Sequence, residues 1–350
     1  MSNNGGGPSE LAKQEARLAR LLLLPSIIIL LVVAVYPLGD TFFASFTNRQ
    51  FAGGETTDQT FVGLSNYRQL LGMTIKELKP VRVTLENEIV YERAIDVLPR
   101  EPHLYRQVTQ FTLFGRRFVL GAREPDFILA VKDTMIYTVA SVILETILGL
   151  GIAMVVNSKF RGRGLMRAAM LVPWAIPTVV SARLWGWMLR PTRVGLFNTL
   201  FSAIGIGGGN ISFLTNKSLQ LPVLIAVDVW KTTPFMALML LAGLQMISQD
   251  LYEAADVDGA GKVRQFLSIT LPLLRPSLAV ALVFRTLDAL RAFDVFNVLL
   301  SRQRLSMASF TYEQLIQFQT AGLSSASGVL IFLLIFAFAV LYVQLLGVET

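Results

Sequence analysis

The sequence predicts an all-α polytopic membrane protein with six transmembrane helices and a small, mainly β external insert between the first two. Of its 350 residues, 53% are hydrophobic and only 16% are charged, whereas soluble domains average about 25% charged residues. Six stretches also reach the ~20 mostly apolar residues that a membrane-spanning helix needs. Between the first two stretches, a long segment alternates apolar and charged residues, which is the pattern of half-buried strands.

The apolar stretches predict six spans and leave one alternative at the first. They cover approximately 21–46, 131–156, 166–190, 221–246, 277–300 and 326–346. The first stretch follows the basic residues Lys13, Arg17 and Arg20, as the core of a secretory signal would. Its apolar run continues to Phe46 and is too long for such a core, so we interpret it as a spanning helix.

Basic residues concentrate in alternate connections, which predicts the orientation. Lys13, Arg17 and Arg20 precede the first span. Between the second and third spans lie Lys159, Arg161, Arg163 and Arg167, and between the fourth and fifth lie Lys262, Arg264 and Arg275. The connection 191–220, between the third and fourth spans, contains only two basic residues, Arg193 and Lys217. Because positive loops stay in the cytoplasm, we expect segment 1–20 and both termini to be cytoplasmic. Much of the net charge of +7 then reflects topology, and no nucleic-acid partner is expected.

The segment 47–130 is predicted to be an external loop that carries the β insert. Alternation is clearest at Val81–Glu86 and Phe111–Leu120 within 73–126, as expected for strands. The single histidine, His103, lies in this insert and is interpreted as a surface residue. With one histidine and no cysteine, the chain offers little for metal binding or covalent catalysis. We therefore expect no catalytic residue, no metal site and no enzyme activity.

The segment Ser248–Pro276 reads SQDLYEAADVDGAGKVRQFLSITLPLLRP and superficially resembles two ligand-binding motifs. Its acidic residues and glycines lack the spacing of an EF-hand, so calcium binding is not expected. Gly261-Lys262 lacks the remainder of a P-loop, so ATP binding is not expected either. The pattern instead predicts two short helices. Ser248 is a candidate N-cap and Gly259 a candidate left-handed terminator. The second helix is expected at Lys262–Ser268, with Pro272 and Pro276 breaking the chain before the fifth span.

The same segment carries a family resemblance. Its residues Glu253-Ala254-Ala255, Asp258-Gly259-Ala260, Phe266, Ile269, Leu271-Pro272 and Pro276 resemble the EAA loop of ABC importer permeases. The resemblance implies the type I importer permease fold, with a five-helix core at 131–350 and a cytoplasmic coupling loop at 248–276. It also implies that a partner ATPase, which holds the ATP and magnesium, is contacted by Glu253, Ala254, Ala255, Asp258, Gly259 and Ala260. No cofactor is expected in this chain.

Further elements are similar to the sugar-permease branch of that family: Phe61–Tyr67, Pro173, Trp185, Trp187 and Gly195–Asn198. This implies a di- or oligosaccharide cargo, trehalose or maltose type favoured, and the first of two permease subunits. The implied partners are a second permease subunit in a heterodimer, an ATPase dimer and an external sugar-binding protein. The implied location is the cytoplasmic (inner) membrane of a bacterium or archaeon.

One segment departs from this branch, which often has Thr-Gly-Gly-Pro after the fifth span, where this chain has Leu299–Arg304. This departure weakens any finer substrate assignment. Two alternatives stay open: a permease for a phosphorylated sugar such as a glycerol phosphate, which Lys231 could bind, and a stand-alone secondary transporter. The second would need its own ion-coupling site and usually has internal repeats.

Charged residues inside spans are costly and are candidates for function. The fifth stretch has Arg285, Asp288, Arg291 and Asp294 at three-residue steps, and the fourth has Asp228, Trp230 and Lys231. These residues are candidates for the substrate pathway, with ordinary ion pairing between helices as the alternative. We expect the four charges of the fifth stretch to pair among themselves, leaving no net field that would demand a charged cargo.

Overall fold

A computed structural model describes residues 10–51, 59–83, 89–192 and 194–346. Parts of the predicted features lie outside these residues: the first nine residues of segment 1–20, Thr84–Glu86 of the alternating run, and Arg193.

The described chain is mostly helical. In chain order the helices are α1 (Glu10–Leu30), α2 (Tyr36–Ala44), α3 (Ser65–Leu71), α4 (Ala94–Val97), α5 (Pro125–Asn157), α6 (Arg163–Ala175), α7 (Thr178–Met188), α8 (Leu196–Ala203), α9 (Lys217–Gln245), α10 (Gln249–Val257), α11 (Lys262–Gln265), α12 (Leu271–Leu290), α13 (Asp294–Leu299), α14 (Met307–Ile316) and α15 (Ala321–Leu346). The strands are β1 (Met73–Leu78), β2 (Pro80–Val83), β3 (Ile89–Tyr91), β4 (Arg106–Leu113) and β5 (Arg116–Ala122). π-Helical turns join α1 to α2 and α11 to α12.

Five helical runs are long and apolar enough to cross a membrane, and a bent pair makes a possible sixth. The five are Gln14–Ala44, Pro125–Asn157, Lys217–Gln245, Lys262–Leu290 and Ala321–Tyr342. The bent pair is α6 and α7, which meet at 88°. The bend follows from Pro177, because a residue before proline avoids the helical region, and Ile176 is extended with φ −70° and ψ 129°. The stretch 166–190 is thus two helices at a sharp corner.

The strands lie between the first helical run and α5 and form two antiparallel sheets. One sheet has the order β1-β5-β4 and the other pairs β2 with β3. Leu78, Ala94, Leu98 and Val119 form a small apolar core beneath them. Strand β5 ends three residues before α5 begins, so the sheet is anchored directly to the N-terminal end of that helix.

The helical core is built by α5, α9 and α12. Gly149 of α5 lies against Met236 of α9, where an added Cβ would come within 2.9 Å of the methionine side chain. This close approach leaves no room for a larger residue. One apolar cluster includes Tyr137, Leu224 and Phe296, and another includes Val156, Leu240 and Leu274. Both clusters draw on α5 and α9, so they pack these two helices along much of their length.

The fifth predicted span differs from expectation at both ends. The helical run continues from Lys262 to Leu290, so the break expected at Pro272 and Pro276 is wrong. A π-helical turn at Phe266–Thr270 carries the chain past Pro272, with the Leu271 N–H donating to the Phe266 carbonyl. Membrane helices tolerate proline where local π adjustments satisfy the freed groups. The break comes later, after Leu290, so the second half of stretch 277–300 is the separate helix α13.

Candidate functional site

The loop between α9 and α12 has the local structure that its sequence predicts. The Ser248 side chain accepts a hydrogen bond from the Asp250 N–H at 3.3 Å, so the predicted N-cap is confirmed. Gly259 follows α10 with φ +73°, a left-handed conformation that glycine adopts without steric cost. The predicted terminator is confirmed too. The second helix is shorter than expected: α11 ends at Gln265 and gives way to the π-helical turn.

A side-chain clasp holds the two short helices of this loop together. Lys262 Nζ lies 3.0 Å from Asp256 Oδ1, and Gln265 Nε2 donates to the same oxygen at 2.5 Å and to the Ala260 carbonyl at 3.0 Å. The hydrogen bonds from Lys262 and Gln265 lower the pKa of Asp256 below its usual value. These hydrogen bonds connect α10 to α11 and to the turn between them.

This loop presents one face to the helical core and another to its surroundings. On the inner face, the hydroxyls of Tyr252 and Thr270 lie 2.9 Å apart and join α10 to the start of the fifth span. On the outer face, Glu253 and Ala254 are exposed, and Val257 and Val263 are 88% and 74% exposed. The predicted residues Asp258 and Gly259 are exposed beside them, and Ala255 and Ala260 are half-buried.

A second polar group lies inside the helical core, centred on Arg285. This α12 residue is only 2% exposed. Its Nε donates to Glu145 Oε2 on α5, and its Nη2 donates to Glu145 Oε1 at 3.0 Å and to Asp228 Oδ2 on α9. Its Nη1 donates to Asp288 Oδ2 at 2.9 Å. One guanidinium therefore joins α5, α9 and α12, and its carboxylate partners meet the requirement that a buried charge be paired.

This arrangement corrects the expected pairing. We expected Arg285, Asp288, Arg291 and Asp294 to pair among themselves. Among these four residues, the described chain has one ion pair, between Arg285 and Asp288. Because α12 ends at Leu290, Arg291 and Asp294 no longer continue its three-residue steps. Glu145 was not among the residues predicted from the sequence. Its position in the middle of the apolar stretch 131–156 could have identified it, because an unpaired charge there is costly.

A cavity of about 300 Å³ borders this group. Six predicted pathway residues line it: Asp228, Lys231, Arg285, Asp288, Arg291 and Asp294. Residues that the sequence analysis missed, Tyr137, Trp174, Thr178 and Phe293, line it as well. Trp230 does not line it; its ring packs edge-to-face on Trp185 with centroids 5.5 Å apart. The aromatic side chains of the cavity are therefore different from those that the sequence singled out.

A separate ion pair lies in the segment that departs from the sugar-permease pattern. Arg304 donates through Nε to Asp133 Oδ2 at 2.6 Å and through Nη2 to Asp133 Oδ1 at 3.1 Å. It also donates to the Lys217 carbonyl at 2.9 Å. The segment after α13 is thus fixed to the N-terminal part of α5, at Asp133, and to the first residue of α9, at the same end of the core as the sheets.

Comparison with known proteins gives consistent results. Residues 146–347 match the family model described as binding-protein-dependent transport system inner membrane component. The chain is 36% identical to the trehalose/maltose transport system permease protein MalF of Thermococcus litoralis, over 96% of each chain. It is 33% identical to the trehalose transport system permease protein SugA of Mycobacterium tuberculosis, over 95% of this chain and 90% of that protein.

Among solved structures, the chain is similar to a bacterial alginate ABC transporter in complex with an alginate-bound periplasmic protein. The TM-score is 0.70 with 20% identity, over 95% of this chain and 94% of that one. At this identity the likeness concerns the fold.

Proposed function

Because the chain belongs to the family of binding-protein-dependent transport system inner membrane components, we propose that it is the permease subunit of an ATP-driven sugar importer. The favoured cargo is a neutral di- or oligosaccharide of the trehalose or maltose type. The observation that carries this proposal is the 36% identity with a trehalose/maltose permease over 96% of both chains. A stand-alone secondary transporter does not belong to this family, so that alternative is set aside.

The proposed topology has six spans, with α6 and α7 forming one broken span. Both termini and the loop 248–276 lie in the cytoplasm of a bacterial or archaeal cell, and the sheets lie outside. Two observations support this orientation. The basic residues Lys159, Arg161 and Arg163 follow α5, and one cavity is lined by the ends of α5 and α9 together with α10 and α11. The basic connection and the loop 248–276 therefore lie at the same end of the core, as the positive-inside rule requires.

The proposed coupling element is α10, with Glu253, Ala254, Ala255, Asp258, Gly259 and Ala260 contacting a partner ATPase. Small side chains let another protein approach closely, and the exposed Val257 and Val263 add apolar surface. The Asp256–Lys262–Gln265 clasp makes the loop rigid enough to transmit a displacement. The chain itself is then not an enzyme, and ATP and magnesium bind the partner. The assembly comprises a second permease subunit, an ATPase dimer and an external binding protein.

The proposed substrate pathway includes the 300 Å³ cavity. Its lining carries three acidic residues, Asp228, Asp288 and Asp294, and three basic ones, Lys231, Arg285 and Arg291. Glu145, which binds the Arg285 guanidinium from outside the lining, adds a fourth acidic residue, so the group has no excess of positive charge that would favour an anionic cargo. A neutral cargo that both donates and accepts hydrogen bonds, as sugar hydroxyls do, suits this lining. Aromatic rings at Tyr137, Trp174 and Phe293 offer apolar surface for a sugar ring.

Reconstitution tests this proposal directly. Vesicles containing the two permease subunits and the ATPase are supplied with the loaded binding protein, and uptake and ATP turnover are followed. We expect both to respond to a neutral disaccharide. A response confined to an amino acid, a metal or a phosphate ester would contradict the sugar assignment and leave the importer assignment intact.

A phosphorylated sugar is the second candidate, and Lys231 is the observation that favours it. In the described part of the chain its ammonium has no carboxylate within ion-pair distance, and its hydrogen bond is to the Trp174 carbonyl at 3.4 Å. An anionic cargo could supply the missing partner. Comparing glycerol phosphate with trehalose and maltose in the same vesicles separates the two candidates.

A further inference from the structure

Lys231 occupies an unusual position for a lysine. It lies on α9 and is 9% exposed, although lysine is almost never fully buried unless it is paired. An ammonium group has three donors, and in the described chain one of them is used, at 3.4 Å, near the upper limit for a hydrogen bond. The side chain therefore has unused hydrogen-bonding capacity, and it lines the 300 Å³ cavity.

The single acceptor of Lys231 lies at the corner between α6 and α7. Trp174 belongs to the last turn of α6, where carbonyl groups have no following helical turn to donate to them. A cation at such a helix end is favourable, so the contact helps to hold the end of α6 near α9. Trp174 and Thr178, on the two sides of the corner, both line the cavity. The corner is thus part of the wall that surrounds any bound molecule.

We propose that Lys231 is a cargo-binding residue that exchanges its weak bond to the Trp174 carbonyl for sugar oxygens, and so releases the end of α6 when cargo enters. This inference rests on the proposed function. A neutral sugar suits the exchange, because its hydroxyl oxygens accept from an ammonium without adding charge to the cavity. Replacing one long hydrogen bond by two or three shorter ones favours the loaded state. Cargo occupancy would then change the angle between α6 and α7.

Substitution at Lys231 tests the binding step. In the reconstituted complex with loaded binding protein, Lys231→Met should lower sugar uptake about tenfold, the usual cost of an unmatched polar group. Assembly should not change: the ATPase should copurify with Lys231→Met as it does with the unsubstituted chain, since α10 is intact. Lys231→Arg should restore part of the uptake, because it keeps the donors. Lys132→Met is the matched control, since Lys132 is 58% exposed and does not line the cavity.

The corner itself can be measured, because the chain contains no cysteine. Spin labels at Leu165→Cys on α6 and Leu184→Cys on α7, both exposed, report the distance between the two helices. We expect trehalose or maltose to shift this distance with Lys231 present and not with Lys231→Met.

The outcomes separate the inference from the proposed function. Unchanged uptake in Lys231→Met, loss of the ATPase from the purified Lys231→Met complex, or the same distance shift in both proteins would overturn the role of Lys231. If the unsubstituted complex transports no sugar at all, the proposed function fails with it. If it transports only a phosphate ester, Lys231 binds an anion, and the neutral exchange is wrong.

Discussion

The loop 248–276 and the Arg285 group both depend on charged residues, yet they are built in opposite ways. In the loop, Asp256 and Lys262 are six residues apart, and both are largely exposed. In the core, Arg285 binds Glu145 and Asp228, which are 140 and 57 residues away, and all three are buried. Exposed pairs contribute little to stability, whereas a buried charge that loses its partner is strongly destabilising. Loss of the exposed pair should therefore have a small effect on stability, whereas loss of a partner in the core group should have a large one.

The largest effect is expected from Arg285→Met, which leaves Glu145 and Asp228 buried without their cation. The free energy of unfolding should fall by about 3–5 kcal/mol, seen as a lower melting temperature of the purified complex. Arg302→Met is the control, because Arg302 is 60% exposed and pairs with Glu313 at 3.4 Å. Arg285→Lys, which keeps the charge and loses the fork of donors, should fall between the two. If Arg285→Met and Arg302→Met had equal melting temperatures, the buried ion pairs would contribute no more to stability than the exposed ones.

A smaller and local effect is expected from Gly259→Val. The positive φ at this position strains a β-branched residue by about 1–3 kcal/mol, which should disturb the end of α10 and weaken retention of the ATPase during purification. Gly261→Ala is a matched control, since Gly261 has φ −64° and open space around its Cα. ATPase retention that is equally high in both variants would contradict a role for the α10 end in docking.

Glu253→Lys sharpens the comparison further, because it should change partner binding without changing stability. Glu253 is exposed and has no described ion pair, so reversing its charge should leave the melting temperature unaltered. Copurification of the ATPase should be lost. Glu101→Lys, an exposed glutamate at the opposite end of the chain's fold, should retain the ATPase. A lower melting temperature in Glu253→Lys would mean that the residue stabilises the fold instead.

The smallest effect is expected from Asp256→Asn. The lowered pKa of Asp256 means that its contribution to the loop is present at neutral pH and is lost as the pH falls through that lowered value. A spin label at Val257→Cys should therefore be more mobile in Asp256→Asn at neutral pH. The unsubstituted loop should reach that mobility only in acid. If the label's mobility is the same in both proteins at neutral pH, the clasp does not order the loop.

The contrast also explains what could be predicted from sequence. Ser248 and Gly259 act within one helical turn of their own position, so local rules predicted their roles correctly. The partners of Arg285 depend on how α5, α9 and α12 pack, and spacing along one helix could not identify Glu145 or Asp228. Trp230 was chosen by residue type, but its side chain points towards Trp185 and away from the cavity. Likewise, Pro272 was expected to end a helix. The helix continues because the π-helical turn before it accommodates the proline, and nothing in the residue pattern indicated such a turn.

The uninterrupted run from Lys262 to Leu290 acts as a lever. At 1.5 Å per residue, Lys262 and Arg285 lie about 35 Å apart along one helix. A tilt of about 5° about one end would move the other by about 3 Å, comparable to a hydrogen-bond length. If this run moves as one piece, a displacement of its Lys262 end and a rearrangement around Arg285 are coupled through the helix itself. The π-helical turn at Phe266–Thr270 is the point where that coupling would be weakest.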